Sequence, residues 1–69
     1  GAAADIDIAD NKKAFDYIKD NIEFDQLIWE FGNDKQPDWV HVSYRLDNNR
    51  GQILRAVKKN GKTAYVNFK

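Results

Sequence analysis

Asn60-Gly61 stands between two extended-looking stretches, Ile53 to Lys59 and Lys62 to Phe68. Both residues tolerate the positive φ that a two-residue type I′ turn demands, so this dipeptide predicts a β-hairpin at the C-terminal end. The hairpin has little chain with which to build a core. Sixty-nine residues make one small domain, spanning residues 1–69, of a size at which a single hydrophobic core is marginal. The chain has no cysteine, which excludes disulfide staples and thiolate metal sites. Any metal must be held by imidazole and carboxylate.

Upstream, Ala4 to Ile8 alternates, with Asp5 and Asp7 on one side and Ile6 and Ile8 on the other, the pattern of a short half-buried strand. Asp10 or Asn11 can cap a helix. From Lys12 to Asn21 the apolar residues Ala14, Phe15 and Ile18, followed by Ile22, fall at helical spacing, with lysines and aspartates outward. Phe24 to Phe31 is expected to be a second strand, with Leu27, Trp29 and Phe31 on one face and Phe24, Gln26, Ile28 and Glu30 on the other. Gly32 to Asp38 contains the sole proline, Pro37, and is expected to be a loop. Trp39 to Arg45 follows as a third strand, with Val40, Val42 and Tyr44 opposite Trp39, His41 and Ser43, and Asp47 to Gly51 is a polar turn. The order strand, helix, strand, strand, hairpin predicts an α+β fold: a mainly antiparallel sheet of four to five strands with one amphipathic helix packed on it.

The charges cancel overall but not locally. Gly1 to Asp38 holds ten acids and four lysines, whereas Trp39 to Lys69 holds seven bases and one acid, so the halves carry about −6 and +6. Such halves can attract each other within one fold, or the basic one can face an anionic polymer. No run approaches the ~18 apolar residues of a membrane span, and no signal peptide is visible. No phosphate-binding glycine loop is present. Ser43 lies two places along the strand from His41, about 7 Å away, too far for a nucleophile and its base.

The only histidine, His41, lies within "DWVHVSY", with Asp38 three places before it. Asp5, on the polar side of the first strand, is a second donor if the two strands are neighbours. A catalytic zinc takes three protein ligands from His and Asp or Glu and leaves a place for water. From composition alone this chain is one ligand short, and a packed or surface histidine is the simpler reading.

These segments resemble the zinc peptidases that cut bacterial cell-wall peptides: the D-alanyl-D-alanine carboxypeptidases, VanX-type dipeptidases and phage L-alanyl-D-glutamate endopeptidases of the hedgehog/DD-peptidase fold. "GAAADID" matches the end of that group's H-x-x-G-x-A-x-D pattern at Gly1, Ala3 and Asp5, and "DWVHVSY" resembles its second metal segment. "NKKAFDYIKDNIEFDQLIWEFG" and "NRGQILRAVKKNGKTAYVNF" resemble the phage-associated branch, so the likeness covers nearly the whole chain. It implies that Asp5 and His41 are zinc ligands and Asp38 the general base, with a peptidoglycan stem peptide as substrate and a bacterial or phage parent. It also implies small neighbours, Ala3 and Ala4, beside Asp5, and Trp39 as a wall that lowers the local dielectric.

The group's first histidine falls seven residues before Asp5, and its substrate-binding arginine earlier still. Neither lies in these 69 residues. The expectation is therefore a truncated C-terminal portion of a zinc-peptidase domain, with weak or no zinc binding and no hydrolysis by itself. Asp7 and Glu30 are expected to be solvated carboxylates, Glu30 facing a lysine, with an acceptor that orients a metal ligand as the alternative for each, and Trp29, Phe31 and Tyr44 are expected to be core. The alternative is a non-catalytic module that binds nucleic acid or an anionic glycan through Arg45, Arg50, Arg55, Lys58, Lys59 and Lys62; aromatics alternating into the core argue against it. An incomplete sheet edge would invite self-association.

Overall fold

The computed structural model describes residues 1–68. Its elements are β1 (Ala2–Ile6), α1 (Asn11–Asn21), β2 (Gln26–Glu30), β3 (Trp39–Tyr44), β4 (Gln52–Lys59) and β5 (Lys62–Asn67). The strands form one sheet in the order β1-β3-β2-β4-β5, in which only the β2–β4 pairing is parallel. This is the expected α+β architecture, with one helix on a mostly antiparallel sheet. The hairpin forms as its turn requires, with Lys59 paired to Lys62 and φ of 53° at Asn60 and 77° at Gly61.

Asp10 caps α1, its carboxylate accepting from the Lys13 amide at 3.1 Å. The helix presents Phe15 and Ile18 to one face of the sheet. There they bury against Phe24, Leu27, Trp29 and Val40. Phe15 meets the Trp29 ring edge-on at 5.2 Å, and Phe68 leans on both rings. The opposite face carries no helix and a smaller apolar cluster of Ile28, Leu54 and Ala56, joined by Phe31.

The parallel pair depends on the chain from Arg45 to Gly51 passing beneath the start of β2. Asp25 fixes that passage. Its carboxylate accepts from the Arg50 amide, Nε and Nη2 at 3.1, 2.9 and 2.8 Å, and its carbonyl accepts from the Gln52 amide at 2.9 Å. A bidentate guanidinium–carboxylate pair fixes direction as well as distance, so β4 starts alongside β2.

Four details differ from the expectation. β1 begins and ends two residues early: Asp7 and Ile8 lie past its end, before the bend at Ala9 that leads into the helix, and Ile8 is exposed. Phe31 and Phe24 exchange faces. Phe31 has φ of 55°, which breaks the strand alternation and sends its ring to the Ile28 side, 5.5 Å from Trp39. Phe24 precedes the strand and joins the helix side. Tyr44 shares the parity of Val40 and Val42 but is 44% exposed at the end of its strand, where its partner is Ala2.

Candidate functional site

β1 lies directly beside β3, and Asp5 and His41 are cross-strand partners. His41 Nδ1 and Asp5 Oδ1 are 2.8 Å apart. The two side chains point to the helix-free face and make an exposed pair. Their placement follows from parity: His41 alternates with the core-facing Val40 and Val42, and Asp5 alternates with Ala4 and Ile6. Ala3 and Ala4 keep the strand beside them free of bulk.

The register continues across the whole sheet. Asp5, His41, Ile28, Leu54 and Asn67 are successive partners, a single row that crosses all five strands. On one side of it runs Ala3, Ser43, Gln26 and Gln52; on the other, Trp39, Glu30, Ala56 and Tyr65.

Glu30 departs from the expectation of a solvated carboxylate facing a lysine. It is only 7% exposed, on the same face as Ile28 and cross-strand from Trp39. Burial raises its pKa above the ordinary 4.5; the nearby His41 pulls it down and the Asp5 carboxylate pushes it up again. Glu30 has the parity of Ile28, which puts it on the helix-free face, but parity does not show that Trp39 lies opposite it there. Asp7 is exposed, as expected of a solvated carboxylate, and accepts from Asn11 Nδ2 at 2.9 Å just past the end of β1.

Asp38 is exposed and begins the approach to β3. Its backbone is held on both sides, the amide donating to the Glu30 carbonyl at 2.9 Å and the carbonyl accepting from Asn11 Nδ2 at 3.0 Å. Asn11, one of two candidate caps, is instead a buried clamp. Its Oδ1 accepts from the Ile8 amide at 2.6 Å while its Nδ2 reaches Asp7 and the Pro37–Asp38 backbone. Gln36 completes the dock, accepting from the Lys12 amide and donating to Asp10 Oδ1, both at 2.9 Å. The loop that delivers Asp38 is thus tied to the start of α1.

Among the described residues, no group of three or more His, Cys, Asp or Glu side chains could hold a metal ion. The pair that is present supplies two donors of the types a zinc site uses, one imidazole and one carboxylate. A tetrahedral ion with bonds of about 2.0–2.1 Å holds its donors about 3.3 Å apart. Asp5 Oδ1 and His41 Nδ1, by contrast, are hydrogen-bonded at 2.8 Å, so the pair would have to exchange that proton and open by about half an ångström to take an ion. Imidazole and carboxylate are also the donor types zinc accepts from a chain without cysteine.

Two carboxyls give the fold an expected dependence on pH with opposite signs. Arg50 holds the Asp25 carboxyl down at about 2, against an ordinary 3.8, so its stabilising contribution is complete above about pH 4 and lost as pH falls toward 2. Glu30 has a raised pKa, so its contribution is complete below 4.5 and lost as pH rises through the folded value. Thermal melts from pH 2 to 8 should therefore peak between pH 4 and 5. Glu30→Gln should remove the decline on the alkaline side and leave the acid side unchanged; a variant that still declines above pH 5 would assign that limb to another group.

Among the described residues no helix is long and apolar enough to cross a membrane. No family model, no curated protein and no solved structure matches the chain.

Proposed function

We propose that this chain carries part of the site of a zinc-dependent peptidase acting on cell-wall stem peptides, with Asp5 and His41 as two of the metal's protein ligands and Asp38 as the base. The observation that carries the reading is the contact between Asp5 and His41. They lie 36 positions apart in sequence, come from the two segments that resemble the family's metal motifs, and meet at 2.8 Å on the open face of the sheet. Zinc bound there would supply a Lewis acid and a water of lowered pKa. Asp5 and His41 hold their donor atoms together on two paired strands. Asp38 offers a solvent-facing carboxylate to accept a proton, on a backbone fixed by Glu30 and Asn11.

The resemblance puts the third ligand seven residues before Asp5, outside these 69 residues. The chain is therefore expected to bind zinc weakly and to hydrolyse nothing by itself. Zinc titration followed by the His41 ring signals in NMR tests this. The ring should shift in the parent and not in Asp5→Asn, whereas tight one-to-one binding would show that the chain has a complete site of its own. A His41 ring unmoved by zinc would sink the proposal.

The anionic-polymer alternative has less support. Of its six cations, Arg50 is committed to Asp25 and Arg55 to Asp34 at 2.6 Å, and Lys58 lies over the Phe31 ring. One observation does favour it: Tyr44, expected in the core, is exposed, and so is Tyr65.

A further inference from the structure

The helix-free face holds more than the Asp5–His41 pair. Beyond His41 the central row descends into an open cleft of about 470 Å³. Its floor is Ile28 and Leu54, and its rim carries the carboxamides of Gln26, Gln52 and Asn67 with the phenol of Tyr65. Arg50 also borders it, but both Asp25 oxygens already accept from that guanidinium. Among the described residues no acid lines the cleft and its one cation is matched by Asp25, so their lining chemistry is neutral.

We infer that this cleft is a peptide subsite, which binds the backbone amides of an extended, uncharged peptide segment leading away from the Asp5–His41 pair. The inference rests on the peptidase reading above. A carboxamide presents a donor and an acceptor side by side, the complement of a peptide group. Gln26 Nε2 donates to Gln52 Oε1 at 2.9 Å, which spends one donor and one acceptor and orients both side chains. Gln26 keeps its oxygen and Gln52 its amide hydrogens for a ligand. The apolar floor excludes water beneath them, which strengthens hydrogen bonds made above. Tyr65, 57% exposed, offers a ring face at the far side.

The spacing sets the length of the occupant. Adjacent strands lie about 4.8 Å apart, so Leu54 is two steps, about 10 Å, from His41 along the row. An extended peptide spans about 3.3–3.6 Å per residue, so three residues reach from the pair to the middle of the cleft.

The test uses the 69-residue chain without zinc and an uncharged tripeptide, N-acetylated and C-terminally amidated tri-alanine. On titration, the side-chain amide signals of Gln26, Gln52 and Asn67 and the methyls of Ile28 and Leu54 should shift together, with a dissociation constant of about 1 mM. Gln52→Ala and Tyr65→Ala, both outside the core, should each weaken binding between about twofold and tenfold. Shifts confined to other regions, or equal binding by both variants, would overturn the inference. Its fate is separable from that of the metal reading. Peptide shifts with a His41 ring that ignores zinc would keep the cleft and remove the peptidase; a ring that responds to zinc with no peptide shifts would do the reverse.

Discussion

Gly32→Ala is expected to displace the loop that carries Asp38 and to cost about 2–4 kcal/mol, combining a left-handed backbone penalty with overpacking. Gly32 has φ of +69°, and a Cβ there would collide with the Gln36 carbonyl oxygen and lie 2.8 Å from both the Asp38 nitrogen and Pro37 Cα. All three are backbone atoms, so no side chain can swing aside to make room. The collision pushes on the Asp38 amide, whose bond to the Glu30 carbonyl closes the loop. Gly61→Ala is the control: φ is +77° there, but nothing lies within 4 Å of the added carbon. Urea melts should therefore rank Gly32→Ala well below Gly61→Ala, and hydrogen exchange at the Asp38 amide should accelerate only in the former. Equal losses in the two variants would mean that the close approach is relieved at little cost.

Phe15→Ala is expected to have the largest effect of any single truncation on the helix. Phe15 is fully buried and touches both the Trp29 and Phe68 rings. Emptying such a site costs about 3–5 kcal/mol. A domain of this length holds only about 3–10 kcal/mol in total. The variant should melt more than about 12 °C below the parent, or be unfolded at room temperature. Tyr17→Ala, on the exposed side of the same helix, should stay within about 0.5 kcal/mol of the parent. If Phe15→Ala melted like Tyr17→Ala, the helix would not be held by this contact.

The two losses act at different levels. Phe15 holds the helix on the sheet, and the start of that helix carries Asn11, which grips the Asp38 carbonyl. Losing Phe15 therefore releases Asp38 through the helix, whereas losing Gly32 displaces Asp38 directly and leaves the aromatic core intact.

Much of the fold was legible in the sequence because its signals are local. Asn60-Gly61 admits one turn geometry, the 3.6-residue spacing of Phe15 and Ile18 defines a buried helical face, and alternation around His41 puts Val40 and Val42 in the core. The misreadings came where local rules yield to packing. Phe31 left its expected face because a positive φ at the neck of the loop reverses it. Glu30 was read as solvated because parity alone does not say what lies opposite. Asn11 looked like a cap, and the two carbonyls it grips lie 26 and 27 positions away.

By itself the sequence determined the elements, their buried faces, and the side of β3 on which His41 stands, since each is set by residues within a few positions of one another. Only the tertiary structure decided that β1 lies beside β3 in the register that joins Asp5 to His41, and that β4 runs parallel to β2 with an amide-lined cleft between them and β5. Strand neighbours are chosen by contacts between distant segments, here the Asp25–Arg50 latch and the Asn11 clamp. Nothing in the spacing of residues along the chain encodes which of several sheet orders those contacts will select.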